Sequence, residues 1–219
     1  MKHTTMKSAD QEVVQLHESI ITHMKNWSRL ETSLSKLLYD IIRIKPRSSK
    51  IPYVIYYSPD GFDARQKIVD RAFRQFIKET PTSSGIENDW NKIDTELTLA
   101  KAIRNKVAHG APLILGIRGK YYVRHSPPAH DVNRVGNLVE NGIPGISASE
   151  ILTSSKTIIN LVDCIEAIRF PVIAYRQGKL ASLTEKLAEL ATCLQKLPNR
   201  HPIARKSKAP PDQPQSSPG

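Results

Sequence analysis

The side chains of this chain best suited to chemistry lie in one short stretch, Arg104 to Gly110, with the sequence Arg-Asn-Lys-Val-Ala-His-Gly. Arginine carries a permanent charge on a planar fork that matches phosphate oxygens. Histidine can give or take a proton near neutral pH. The stretch therefore points to phosphate chemistry, with Arg104, Asn105 and His109 as the candidate catalytic residues.

A helix of about residues 85 to 109 is predicted to carry these side chains. Ser84 and Glu87 have the spacing of a capping box at its start, and Gly110 supplies the stop. Arg104 continues the apolar stripe of the helix, so it needs a counter-charge, a bound anion or a wet groove between subunits. The apolar stripe consists of Ile86, Trp90, Ile93, Leu97 and Ala100, spaced by three and four residues.

His109 is expected at the C-terminal end of this helix, among carbonyl groups that lack partners within the helix. Their negative partial charge favours a cation, so we expect a histidine that donates as well as accepts a proton. Glu96 and Asp94 are candidates for the acidic partner of Arg104, supplied across a dimer.

The Arg-x4-His pattern, with Asn105 directly after the arginine, resembles the signature of the HEPN superfamily, helical domains found in prokaryotic and eukaryotic ribonucleases. The aromatic run from Tyr53 to Tyr57, followed by Phe62-Asp63-Ala64-Arg65, also resembles bacterial members. The likeness spans roughly residues 20 to 170. It implies a HEPN-like helical bundle that forms a homodimer and cleaves RNA without a metal or cofactor.

One position departs from the pattern of HEPN toxins that are paired with nucleotidyltransferase antitoxins. In those toxins a tyrosine commonly follows two residues after the histidine, and this chain has Ala111 there. Regulation by modification at that position is therefore not expected.

The composition, with 39% hydrophobic residues, is ordinary for one folded domain with tails. We find no apolar run long enough to span a bilayer and no signal peptide, so the protein is expected in the cytoplasm. Cys164 and Cys193 are predicted to be unpaired core residues. His125, His130 and Asp131 fit no standard ligand spacing, so no metal site is predicted.

The net charge of +11 favours a polyanionic partner, although basic residues also simply solvate a protein surface. Together with the motif, the charge makes RNA the expected partner. The candidate RNA contacts are Arg65, Lys101, Lys106, Arg118, Lys120 and Arg124. The last three belong to a predicted β-hairpin that follows the motif helix, and they could equally be exposed cations of a hairpin that covers the bundle.

The remaining pattern predicts a mainly α fold with this small hairpin. Helices are predicted over residues 13–44 and 62–78 and from Ser147 or Ser149 to Phe170, where Pro171 breaks or kinks the last one. The segment 51–57 is β-branched and aromatic, which favours a short strand or an extended connection. Residues 126–147 are predicted to form an irregular loop.

The domain organisation is predicted as a helical domain over residues 1–178, a C-terminal amphipathic helix over 179–197 and a disordered basic, proline-rich tail over 198–219. The C-terminal helix has leucines at steps of three and four: Leu180, Leu183, Leu187, Leu190, Leu194 and Leu197. This seam can pack on the parent bundle or form a dimer contact.

RNA cleavage without metal needs a base, an acid and cations on the phosphate, whereas one chain offers one motif histidine. A two-fold dimer would supply two histidines and two arginines in one groove. The first interpretation is therefore a dimeric endoribonuclease of defence or stress response, with a regulatory protein partner. The second is a non-catalytic RNA-binding or protein-interaction module, and a third, based on charge alone, is a DNA-binding regulator.

Overall fold

The computed structural model describes residues 6–42, 50–80, 85–117, 120–126, 145–178 and 183–197. Within these ranges the chain forms six helices and one two-stranded antiparallel sheet. The elements in chain order are α1 (Met6–Ile42), α2 (Ile51–Tyr57), α3 (Phe62–Lys78), α4 (Ile86–His109), β1 (Ala111–Ile117), β2 (Lys120–Ser126), α5 (Ala148–Arg176) and α6 (Leu183–Gln195). The predicted mainly α fold with a hairpin after the motif helix is confirmed.

The two longest helices, α1 and α5, lie side by side and run in the same direction. Asn26 bonds to Ser155, and Asp40 bonds to Arg169 further along both helices. The main core lies between these helices, α3 and α4, and its largest fully buried side chains include Trp27, Trp90 and Phe73. Burial of such large apolar surfaces is the chief stabilising contribution to a fold of this size.

A second core surrounds the C-terminal half of α4. It consists of Leu16, Ile103, Val107, Val123, Ile146 and Ile151. These residues come from α1, α4, β2, the segment before α5 and the first turn of α5. The hairpin is therefore packed against the C-terminal end of the motif helix and shares a core with it.

The segment Ile51–Tyr57, predicted as a strand or extended connection, is helical, and that prediction was wrong. Pro52 lies in the first turn, where a proline costs no helical hydrogen bond. Tyr56, four residues later, is fully buried, and Tyr53 stacks on Tyr39 of α1 with ring centroids 5.5 Å apart. Tertiary packing on a helical spacing thus outweighs the β propensity of the residue types.

The prediction that Pro171 breaks or kinks its helix near Phe170 was wrong about the end of the helix, since α5 continues to Arg176. Pro171, Val172 and Ala174 are buried, and this burial offsets the hydrogen bond that proline removes. The start of α5 does follow the prediction, because Ser147 and Glu150 form a capping box.

The bounds of the other helices differ less from the predictions. The bounds of α3 are as predicted, α4 begins one residue later than about 85, and α1 begins at Met6, seven residues before the predicted start. The predicted capping residue Ser84, the loop residues 127–144, Leu180 and the tail 198–219 lie outside the described residues.

Helix α6 packs on the bundle. Packing on the bundle was one of the two roles that its row of leucines allowed, the other being a dimer contact. Leu190 and Leu194 are buried in the main core. Lys92 of α4 donates to the carbonyl of Leu194 at 2.9 Å, which fixes the end of the helix. Cys164 is buried and Cys193 half-buried, and both are free thiols as predicted.

Candidate functional site at the C-terminus of α4

The three motif side chains lie on the last two turns of α4 and differ in exposure. Arg104 is half-buried, whereas Asn105 and His109 are exposed. Asn105 and His109 are four residues apart and therefore occupy the same face of the helix. The motif thus presents one anchored cation beside an exposed amide and an exposed imidazole.

Arg104 is held by contacts that leave its charge uncompensated. Its guanidinium carbon lies 5.9 Å from the centre of the Trp27 ring, a cation–π distance, and Nη1 donates to Oδ1 of Asn105 at 3.2 Å. Its Nε is buried and has no acceptor among the described residues. In the described part of the chain it forms no ion pair with a carboxylate.

The two acids considered as partners of Arg104 have other surroundings within one chain. Asp94 accepts a hydrogen bond from Gln66 at 2.7 Å. Glu96 is only 5% exposed, and burial raises the pKa of its carboxyl group, an effect that Lys92 partly opposes. A contribution of either acid across a dimer stays a prediction.

Two of the candidate RNA contacts, Arg65 and Lys101, form ion pairs with acidic side chains. Arg65 pairs with Glu31 of α1 at 2.9 Å, and Lys101 of α4 pairs with Asp63 at the start of α3. Both cations are therefore paired with carboxylates in the free protein, and only Lys101 belongs to the motif helix itself. RNA would have to displace these carboxylates. This costs less at Lys101, whose partner Asp63 is 64% exposed, than at Arg65, where the two paired side chains are only 20% and 19% exposed.

The other candidate RNA contacts are distributed around the motif helix. Lys106 is exposed on α4 beside Asn105, and Lys120 begins β2. Arg124 is half-buried in β2, and its Nε has no acceptor among the described residues. Arg118 lies outside the described residues.

His125 is a residue whose role sequence reasoning missed. It was considered only as a metal ligand with His130 and Asp131, which lie outside the described residues. The structure places it in β2, 4% exposed, with Nε2 at 2.8 Å from the carbonyl oxygen of Val107 in the last turn of α4. The alternation of β2 could have shown that His125 shares a face with the buried Val123.

The described residues contain no cluster of three or more metal-ligating side chains. None of the helices in the described ranges combines the length and apolar character needed to cross a membrane. Comparison with protein-family models, curated proteins and solved structures finds no match to this chain.

Proposed function

We propose that the protein is a metal-independent endoribonuclease whose active unit is a homodimer, as the resemblance to HEPN domains implies. The observation that carries the proposal is the state of Arg104. Its guanidinium is fixed by Trp27 and Asn105, yet one of its nitrogen atoms is buried without an acceptor. That Nε atom is too buried for a ligand to reach, but the residue as a whole is only half-buried and has no carboxylate partner among the described residues, so the terminal nitrogen atoms of its guanidinium can donate to a phosphate oxygen.

The exposure of His109 suits proton transfer to or from a bound RNA. In the proposed reaction a base removes the proton of the 2′-hydroxyl, whose oxygen attacks the adjacent phosphorus. The bond to the 5′-oxygen breaks, and an acid protonates that oxygen. His109 moves protons, Arg104 stabilises the charge on phosphate, and Asn105 positions the histidine or a phosphate oxygen. The products carry a 2′,3′-cyclic phosphate and a 5′-hydroxyl.

The outer face of α4 supports a dimer that joins two such motifs. Thr98, Ala102, Asn105 and His109 follow at steps of four, three and four, and all are exposed. The first three of these side chains are small or medium-sized, so two copies of the face could approach closely about a two-fold axis. Such a dimer would place two histidines and two arginines in one groove. The enzyme would act in the cytoplasm, in defence or stress response, under a regulatory protein partner.

The test compares the wild-type protein with His109→Ala on a structured single-stranded RNA in the presence of EDTA. His17→Ala is the matched control, because it removes an exposed histidine of α1. We expect cleavage by wild type and His17→Ala, with cyclic phosphate ends, and loss of cleavage in His109→Ala. Equal cleavage by all three proteins, or by none of them, would remove the support for a catalytic His109.

A second candidate function is a non-catalytic module that binds RNA or protein. The observation in its favour is that the contact between Arg104 and Trp27 also links α4 to α1, a structural role that needs no chemistry. In the same assay this function would appear as RNA binding that depends on Arg104, without cleavage by any of the proteins.

A further inference from the structure

The hydrogen bond between His125 and Val107 joins the hairpin to the last turn of the motif helix. A carbonyl oxygen can only accept, so Nε2 of His125 carries the hydrogen and donates it. The carbonyl of Val107 belongs to the final turn of α4, whose carbonyl oxygens have no N–H donor further along the helix. His125 therefore acts as a C-terminal cap supplied from a different element.

Gly110 makes this cap possible because no other residue fits between the helix and the imidazole. A Cβ at this position would lie 2.5 Å from Nε2 of His125 and 2.6 Å from the carbonyl oxygen of Ser126. Its backbone is extended, with φ −86° and ψ 174°, and the chain passes directly from α4 into β1. His109 is thus separated from the strand by a single residue that is in contact with His125.

His125 is itself fixed on its other side. Its backbone exchanges two hydrogen bonds with Ile146, both 2.9 Å long. Ile146 belongs to the second core together with Val107 and Val123. The imidazole is therefore anchored to the same core that holds the end of α4, and it has little freedom to move away.

We infer that His125 is a positioning residue: by capping α4 through Val107 across Gly110, it fixes the turn that presents His109 to the RNA phosphate. The catalytic part of this inference rests on the proposed function, whereas the capping part does not. His125 touches neither the substrate nor the exposed imidazole in this arrangement, so its effect on cleavage comes through the backbone.

The capping part is tested first on the wild-type protein by nitrogen-15 NMR of the histidine side chains at neutral pH. We expect a hydrogen on Nε2 of His125. The tautomer with the hydrogen on Nδ1 would overturn the inference, because Nε2 could not then donate to Val107. This measurement needs no variant and no activity.

Two variants, His125→Gln and His125→Asn, then separate the effect of the hydrogen-bond donor from that of the rest of the side chain. The amide nitrogen of glutamine can reach the position of Nε2, whereas the shorter asparagine cannot. We expect His125→Asn to speed amide hydrogen exchange at Ala108 and His109, and His125→Gln to leave it close to wild type. Gly110→Ala, which separates the same two groups, should act like His125→Asn. Unchanged exchange in His125→Asn, with circular dichroism showing a folded protein, would overturn the inference.

The positioning part is tested by kinetics on the same proteins. A displacement of about 1 Å at a reacting group can cost about 100-fold in rate, so we expect a fall of that order in kcat for His125→Asn, little change in KM, and recovery in His125→Gln. Wild-type kcat in a His125→Asn protein with accelerated exchange would overturn this part. If the wild-type protein does not cleave RNA, the proposed function fails, while the tautomer and exchange results still decide the capping role.

Discussion

At Arg104 the shape of the guanidinium matters as much as its charge. The planar group lies over the Trp27 ring and donates to Asn105. Its Nε is buried, so the other hydrogens of its terminal nitrogen atoms are the ones available for phosphate. Lysine keeps the charge but has neither the flat face nor the fork. A substitution of Arg104 by lysine therefore separates the electrostatic contribution from the geometric one.

We expect Arg104→Lys to reduce single-turnover cleavage by about 100- to 1000-fold, the usual cost of one lost donor to a developing oxyanion. RNA affinity measured by fluorescence anisotropy should change little, because the net charge is the same. Arg71→Lys, at an exposed position of α3, is the control. Cleavage by Arg104→Lys at the wild-type rate would show that the fork is not used.

The candidate site could be predicted in part from the sequence, because its residues lie on one strongly periodic helix. The positions of Arg104 and His109 follow from the apolar stripe of α4 and from Gly110. The role of His125 could not be predicted in this way. It depends on how the second strand of the hairpin folds back onto the end of α4, and the contact between His125 and Val107, 18 residues apart, is not encoded in the local pattern of either element.

At the level of the elements, α3 and α4 match their predictions because a helical stripe of apolar residues fixes both type and length. The prediction of a strand or extended connection at α2 was wrong for a physical reason. A seven-residue helix is too short to show a clear period, and its β-branched and aromatic residues favour strands. Pro52 and Tyr56 are the buried residues of this helix, and Tyr56 is buried because it packs into the main core. The predicted end of α5 near Phe170 was wrong for a similar reason, because the packing of Pro171 in the core outweighs the tendency of proline to end a helix.

The packed face of α4 contains a carboxylate that should make stability depend on pH. Glu96 is buried and its Oε2 has no hydrogen-bond donor among the described residues, and burial raises the pKa of its carboxyl group above the ordinary value of 4.5. The folded protein therefore holds this proton more tightly than the unfolded chain does. Ionisation of Glu96 thus disfavours folding as the pH rises through 4.5 and the higher folded-state pKa.

We expect Glu96→Gln, which keeps the shape and removes the charge, to gain stability over wild type as the pH increases from 4 to 7. Urea unfolding at several pH values measures this difference. Glu18→Gln, at an exposed position of α1, is the control and should show no such trend. A difference between Glu96→Gln and wild type that is the same at all pH values would contradict the expected titration.

For the whole molecule, the net positive charge opposes the formation of the proposed dimer. Each copy carries a formal charge of +11, so two copies repel one another in the absence of a polyanion. Salt screens this repulsion, and RNA in a shared groove would neutralise part of it. We therefore expect the association of two copies to become tighter as the ionic strength rises and when RNA binds. In the proposed dimer, contact between the outer faces of α4 provides the attraction that overcomes this repulsion.

We expect Ala102→Arg, which places a long cation in the middle of that exposed face, to convert the dimer to a monomer in sedimentation equilibrium. Cleavage should fall by about 100- to 10,000-fold, the range for loss of one acid or base, because each groove then has a single histidine. Ala188→Arg adds the same charge at an exposed position of α6 and should leave both properties unchanged. If the Ala102→Arg protein remains a dimer and cleaves RNA, the dimer interface lies elsewhere. If the wild-type protein is a monomer and cleaves RNA, one chain supplies both the acid and the base.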